Sequence, residues 1–291
     1  MPKLFITVKA DEISRNYNMQ AVAFIKGVLK NINPKKYEEL YYYNDNGTVR
    51  ANKRPKPFCL AVKPYFYLKP KEEMKKQIKS GGRIFEIDEE SRDKIKLKDE
   101  IFTIIISSPD SSFLKQIMEE IIRNKKKYEE EQSWKFEYDP VMPDNLQEPY
   151  IRKKRIKIST ITPIVVTDRD GNLIDIEKDA DKFNESLSYI MNQIFLAAFN
   201  RGLKRPIKLK PLKYKIQKNI LIVDGYTKTI QGYYGRFWLE GDTEDINYIL
   251  SLGLGFRRSQ GYGMITLAPS EKIQVQIKKN KPLKLKTKRS K

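Results

Sequence analysis

The spacing of apolar and polar positions changes period repeatedly along the chain, and each change predicts an element. "KLFITVKA", near the start, alternates and carries β-branched residues, which predicts a first strand. In "MQAVAFIKGVLKNI" the apolar residues Val22, Ile25, Val28, Leu29 and Ile32 recur at helical spacing, and Pro34 stops that helix. "PFCLAVKPYFYL" reads as a strand or two, and "RIFEIDEE" and "KDEIFTIIIS" as further strands, the last well buried. "PDSSFLKQIMEEIIRNKKKYEEE" predicts a second helix, capped at Asp110 or a nearby serine, with Phe113, Ile117 and Ile121 as its stripe. A strand near "WKFEY" closes the set, and the order is then the βαββαβ of a ferredoxin-like unit.

The second half repeats that order loosely. "RKKRIKISTITPIVVTD" is a strand region, "DGN" marks a turn, and "DKFNESLSYIMNQIFLAAFNRG" is a long amphipathic helix with Gly202 as its expected cap. Strands follow around "LKYKIQ", "ILIVDGYT" and "GYYGRFWLEG". "TEDINYILSLG" is a short helix whose first-turn acids favour its dipole, and "GYGMITLA" is the last strand. The expected fold class is α+β, two tandem ferredoxin-like domains. The expected division is 1–132, 133–270 and a basic tail over 271–291.

Charge adds a partner to this picture. The chain has 291 residues and a formal net charge of +20, and self-repulsion of that size points to an anionic partner. The stretch from Gln276 to Lys291 carries eight basic residues and no acidic one, so +12 belongs to the rest of the chain. A lysine-rich proteome is the competing explanation of the excess. The opening "MPKLFITVKADE" is too polar for a signal peptide and no long apolar run occurs, so a cytoplasmic protein with no membrane partner is expected. With one cysteine, Cys59 in the apolar "FCLAV", and no histidine, an internal disulfide and a Cys/His zinc site are both excluded. Neither a cofactor nor a metal is expected, and acid–base chemistry must proceed without imidazole.

"GLGFRRSQGYG", from Gly253 to Gly263, concentrates four glycines around two arginines. A dinucleotide fingerprint runs from strand through glycines to helix, whereas here a helix precedes and a strand follows. A Walker loop needs Gly-Lys-Ser/Thr entering a helix, which is absent. A helix cap at Gly253 explains one glycine of the four. The remaining reading is an anion site, in which glycines let main-chain amides approach phosphate while Arg257 and Arg258 add forked donors.

This segment in its context, "GYYGRFWLEG…INYILSLGLGFRRSQGYGMITL", resembles the C-terminal signature of the CRISPR-associated repeat-RNA endoribonucleases, the Cas-six family of the RAMP superfamily. The matching positions are Gly235, Phe237, Leu239 and Gly241, then Gly253, Gly255, Ser259, Gly261 and Gly263. "ISTITPIVVTD" is similar to another segment of that family, and "NPKKYEELY" followed by "KPF" is a weaker N-terminal likeness. The resemblance implies two side-by-side ferredoxin-like domains and metal-independent cleavage of repeat RNA. In that reaction the RNA's own 2′-hydroxyl attacks the adjacent phosphate, leaving a 2′,3′-cyclic phosphate and a 5′-hydroxyl. It also implies that RNA lies along the glycine-rich loop and the cleft between domains. CRISPR repeat RNA is therefore the expected partner, with subunits of a CRISPR effector complex and a second copy of the chain as further candidates.

The reaction needs alignment, proton removal, charge stabilisation and a proton for the leaving 5′-oxygen. Many members of the family carry a histidine after the first helix, where Tyr41 stands here. A tyrosine common on the first helix corresponds to Lys26, and a lysine near a KxF sequence is similar to Lys56. Lys26 and Lys56 are expected to stabilise charge and donate protons, with Tyr41 orienting or acting as a weak base. An ordinary lysine is less than about 0.1% neutral at pH 7, so a lysine base requires a lowered pKa. Lys26 and Lys30 are an i, i+4 pair of like charges, which favours deprotonation of one. The expected RNA-binding residues are Lys30, Lys53, Arg54, Gly253, Gly255, Arg257, Arg258, Ser259, Gln260, Gly261 and Gly263. On the strand "GYYGRFWLEG" one face carries Tyr233, Phe237 and Leu239 and the other Tyr234, Arg236 and Trp238, either to stack bases or to seat one domain on the other. Two further functions stand beside the nuclease. One is a repeat-RNA binder that does not cut, having lost the histidine. The other is a general basic nucleic-acid scaffold driven by its tail.

Overall fold

The structure is a computed structural model that describes residues 2–14, 16–45, 48–52, 54–64, 94–97, 101–132, 134–144, 149–223 and 226–269. The expected strand "RIFEIDEE", the end of "PFCLAVKPYFYL", Lys53 and the basic tail lie outside the described residues.

The first sheet is built from β1 (Lys3–Lys9), β5 (Cys59–Pro64), β7 (Ile101–Ser107) and β8 (Lys135–Phe136). Its order is β5-β7-β1-β8, all neighbours antiparallel. Helices α1 (Tyr17–Ile32) and α3 (Ser111–Arg123) connect these strands across one face. Strand order and helix placement together make a ferredoxin-like unit. Alternation along β1 sends Leu4, Ile6 and Val8 into a core shared with Phe24, Ile25 and Val28 of α1 and with Ile117 and Ile121 of α3. Asp110 caps α3 by accepting from the Phe113 amide at 3.0 Å. The helix read as continuous in sequence breaks at Asn124, and α4 (Lys125–Gln132) follows. The strand at Lys135–Phe136 lies beyond Gln132 yet pairs with β1.

The second sheet repeats the plan. It consists of β9 (Arg155–Thr160), β10 (Lys208–Val223), β11 (Tyr226–Glu240) and β12 (Ile265–Leu267), in the order β10-β11-β9-β12. Its helices are α5 (Ala180–Phe199) and α6 (Thr243–Leu252), packed around Phe183, Leu187, Tyr233, Phe237 and Ile249. The chain is thus a tandem of two ferredoxin-like folds. Two expectations need correction here. "LKYKIQ" and "ILIVDGYT" form one long strand and the start of its partner, because β10 and β11 pair continuously from Lys208↔Glu240 to Val223↔Tyr226 apart from a bulge at Pro211/Lys213. Helix α5 is closed by Asn200 rather than Gly202: Asn200 takes the left-handed conformation, at φ 54°, that asparagine tolerates through its short polar side chain.

Two small elements were not anticipated. Strand β2 (Glu12–Ser14) pairs with β6 (Lys94–Lys96), and β3 (Tyr42–Asp45) pairs with β4 (Thr48–Ala51) directly after helix α2 (Pro34–Tyr41). The Asn46-Gly47 pair is the sequence signal that announces the second of these hairpins.

The two units meet through the outer faces of their sheets and through the glycine-rich segment. Cys59, Ala61 and Ile105 of the first unit pack on Met264 of the second, with Phe5 and Ile161 beside them. The Ser107 hydroxyl donates to the Ser251 carbonyl at 2.7 Å, and the Cys59 thiol to the Tyr262 carbonyl at 3.3 Å. Burial pushes the Cys59 thiol up to about 12, which fits the core role read from its apolar run. All four glycines of the segment have positive φ, between 70° and 93°. At Gly263 a Cβ would lie 2.0 Å from the Leu254 carbonyl oxygen, an impossible approach. Gly263→Ala is expected to cost more than about 3 kcal/mol in denaturant unfolding, since backbone atoms would have to separate. Gly171→Ala, with φ +87° but nothing within 4 Å of the added Cβ, should cost only the left-handed penalty of roughly 1–2 kcal/mol.

Candidate nucleic-acid interface

A cleft of about 1430 Å³ runs between the units, walled by α1, the segment after β4, α5, the start of β11 and the glycine-rich loop. Among the described residues its charged lining comprises Lys26, Arg54, Lys56, Arg169, Arg257 and Arg258, opposed by Asp168 alone. Such a surface attracts phosphate, and low-dielectric walls strengthen the attraction.

Chain geometry explains how Lys56 reaches Lys26. The β3–β4 hairpin returns the backbone to the end of α2, where the Asn52 amide donates to the Tyr41 carbonyl at 2.7 Å and the Asn52 side chain to the Glu39 carbonyl at 2.8 Å. The next residues form a tight loop in which the Lys56 ammonium donates to the carbonyls of Asn52 and Arg54, each at 2.9 Å. Across this loop the Tyr41 ring lies between two cations, with Lys26 Nζ 4.7 Å and Lys56 Nζ 5.1 Å from its centre. Lys26, Tyr41 and Lys56, matched separately in sequence, therefore converge on one wall of the cleft.

Burial, with Lys26 as a second and smaller cause, pushes Lys56 down to about 8. At that value about one tenth of Lys56 is neutral at pH 7, against less than about 0.1% for an ordinary lysine. Two of the three polar positions on Nζ face carbonyls. Among the described residues no hydrogen bond occupies the third, which is an N–H when the group is charged and a lone pair when it is neutral. Tyr41 moves the other way: burial raises its phenol well above the ordinary value, with Tyr37 adding to the effect. That shift counts against the weak-base half of the role expected for Tyr41, because the phenolate is harder to form here than in water, and leaves the orienting half. Tyr41 instead packs against Tyr37 at 5.0 Å and presents its ring face to the lysines.

Several expected RNA contacts have other duties. Arg258 is 4% exposed, and its guanidinium donates to the Leu252 carbonyl and, at 3.1 Å, to the Lys56 carbonyl. It is a pin between the units rather than a free phosphate ligand. Gly253 and Gly263 are buried, and their amides donate to the Ile249 and Pro163 carbonyls at 2.8 Å each. A Cβ on Gly261 would lie 2.4 Å from the Asn18 side chain of α1, so this glycine serves the contact between units. The glycines are needed by protein packing against protein. Gly255, Arg257, Ser259 and Gln260 do line the cleft, and Arg257 donates to the Gln260 side chain at 2.8 Å. Arg54 lines it as well, whereas Lys30 is exposed on α1 and is not among the lining residues.

The cleft also holds residues the sequence reading missed. Tyr189 of α5 is 66% exposed and Phe256 of the loop 39%, and Gln193, Asn172 and Gln231 add amides beside them. Tyr189 lies off the apolar stripe of α5, and an aromatic residue out of phase with its helix was the available signal. On β11 the expected faces hold: Tyr233, Phe237 and Leu239 are buried. On the other face Arg155 and Lys157 lie over the Trp238 ring at 4.3 and 4.8 Å. Lys63 of the first unit lies 5.7 Å from the centre of the Tyr234 ring, which favours the seating of one unit on the other.

Fold and site together define a tandem ferredoxin-like protein with a cation-lined cleft beside a glycine-rich junction. Residues 146–267 match the family model described as "CRISPR associated protein Cas6, C-terminal". The second domain thus matches the C-terminal part of that family. Among solved structures, it resembles a RAMP protein binding different RNA substrates, at 17% identity and TM-score 0.62, over 92% of this chain and 100% of the other. It resembles the product of a Cas6-related gene from Pyrococcus furiosus at 19% identity and TM-score 0.61, over 92% and 98%. It also resembles a CRISPR associated protein Cas6 at 17% identity and TM-score 0.57, over 92% and 99%. These likenesses establish the shared fold. No curated protein sequence matches the chain.

Removal of the Lys26 charge should raise the Lys56 titration midpoint, because a like charge no longer opposes its protonation. Titrating the side-chain resonances of Lys56 in Lys26→Met measures this, and a midpoint unchanged or lowered would contradict the arrangement.

Proposed function

We propose that this protein binds CRISPR repeat RNA in the cleft and cleaves it by metal-independent attack of a 2′-hydroxyl, giving a 2′,3′-cyclic phosphate and a 5′-hydroxyl. The supporting observation is the convergence of Lys26 and Lys56 on the Tyr41 ring, at 4.7 and 5.1 Å, in a cleft with a strong cationic excess. The match of residues 146–267 to the C-terminal Cas6 family model supports repeat RNA as the substrate class. In this reading Lys26 stabilises the phosphate's developing charge, and Lys56 donates its outward proton to the leaving 5′-oxygen. A lowered pKa makes Lys56 a better acid while leaving it mostly charged at pH 7. Tyr41 orients both ammonium groups. Arg54, Arg257 and Gln260 hold the RNA backbone, with Lys30 as an outer phosphate contact; Lys53, outside the described residues, is a further RNA-binding residue of this reading.

The same reading divides the chain into domains over 1–132 and 133–270 with a basic tail over 271–291, the strand at Lys135–Phe136 being lent to the first sheet. Effector-complex subunits and a second copy of the chain belong to it as further partners.

A second reading, an RNA binder that does not cut, is favoured by the absence of histidine and by the upward shift of Tyr41. Incubation of repeat RNA in EDTA, beside an RNA with a 2′-deoxy substitution at the cut site, separates the two. Cutting of the first alone supports the nuclease, and tight binding with neither cut supports the binder. Equal affinity for unrelated RNA and DNA with steep salt dependence would instead favour a basic scaffold.

At saturating RNA the cleavage rate should rise with pH as the 2′-hydroxyl ionises and level off above about 8, where Lys56 loses its proton. Lys56→Met should remove the plateau and slow cleavage by roughly 10²-fold or more. A 5′-bridging sulfur, whose departure needs no proton, should restore most of the loss in that variant. Failure of this rescue would remove Lys56 from the acid role. Arg257→Ala should weaken RNA binding and flatten its salt dependence by about one unit of slope while leaving the rate of bound RNA little changed.

A further inference from the structure

The glycine-rich segment turns its two arginines in opposite directions. Arg257 has φ 59° and bonds to Gln260 within the cleft wall. Arg258 opens the short 3-10 turn Arg258–Gln260 and points inward. Among the described residues no carboxylate pairs with it, and burial pushes its guanidinium down to about 10. An unpaired buried cation is unfavourable, and a neutral side chain could fill the same space. What the guanidinium adds is a fork. One arm takes the Leu252 carbonyl at the C-terminus of α6, where the helix dipole favours a cation, and the other takes the Lys56 carbonyl at 3.1 Å.

Lys56 is the residue so gripped. Its main chain is held by Arg258 from the second domain, and its ammonium closes on the Asn52 and Arg54 carbonyls at 2.9 Å in the first. Among the described residues, Lys26 of α1, Tyr41 of α2 and Arg54 of its own loop are the other charged or titratable groups around it. We infer that Arg258 is a positioning residue for Lys56: its fork between two main-chain carbonyls fixes the lysine loop against the second domain and so sets where the Lys56 ammonium stands relative to Lys26 and Tyr41. This rests on the proposed nuclease reading for its catalytic consequence, but its structural content does not. Released from the fork, the loop would carry Lys56 toward water. It would then behave as an ordinary lysine, and the outward proton would no longer be aimed.

The test uses the full chain and two variants. Arg258→Gln removes the charge, and Arg258→Lys keeps it but can reach only one carbonyl at a time. Lys56 is titrated by competitive acetylation with trace acetic anhydride across pH, read by mass spectrometry. In parallel, single-turnover cleavage of repeat RNA is followed at saturating protein. The wild-type midpoint is expected near about 8. Arg258→Gln should move it up toward the ordinary lysine value, with Arg258→Lys between, and the saturated cleavage rate should fall by about tenfold or more while Kd changes little. A wild type that does not cut would sink the nuclease reading alone, since the midpoint still reports the positioning. If Arg258→Gln does not fold, Arg258→Lys carries the same readout. A folded variant with both the Lys56 midpoint and the saturated rate unchanged would overturn the inference and reduce Arg258 to a domain pin.

Discussion

One buried guanidinium ties the two halves of this molecule together beside the paired lysines of the cleft. Arg258 reaches from the glycine-rich segment of the second domain to a carbonyl of its own α6 and to the Lys56 carbonyl of the first. Around it the backbones approach closely enough that glycine is required, with Gly253 against Cys59 and Gly261 against Asn18. Taken with the apolar contact of Cys59, Ala61 and Ile105 on Met264, this junction sets the mutual orientation of two sheets. It also sets the width of the cleft between their flanking helices.

From that constraint the site follows. A ferredoxin-like sheet covered on one face by its helices leaves the other face free to meet a second sheet, and the glycine segment lies where α6 passes into β12. The segment therefore shows two surfaces at once. Its inward surface is protein-to-protein packing, and its outward surface, with Arg257, Ser259 and Gln260, belongs to the cleft. A phosphate chain in the cleft would lie next to the junction that holds Lys56. Binding and chemistry would thus share one rigid element, and a site built that way keeps its geometry without depending on a mobile loop.

Without imidazole, the site's tuning comes from burial. The same desolvation moves Lys56 toward neutrality and Tyr41 away from ionisation, because each shift favours the uncharged form. Lys56 thereby gains a neutral fraction near pH 7, while the Tyr41 phenol stays protonated. The aromatic ring between two ammonium groups offsets part of their repulsion by presenting its electron-rich face to both.

The periodicity of the sequence was sufficient for the two βαββαβ repeats, because β alternation and helical spacing are local properties that one buried face imposes on its own segment. Charge and the glycine pattern, through their resemblance to a known signature, pointed to an RNA partner and brought Lys26, Tyr41 and Lys56 forward as candidates. Sequence could not say which way neighbouring side chains of an irregular loop point. Arg257 and Arg258 look alike in the string, and only the turn between two left-handed residues sends one to the cleft and the other into the junction. Nor could it separate a glycine that bares its amide to a ligand from one that makes room for another chain segment, since both need the same positive φ. Those decisions, and the hold on the Lys56 main chain, depend on contacts between residues some two hundred positions apart, such as Lys56 and Arg258, and exist only once the two domains have met.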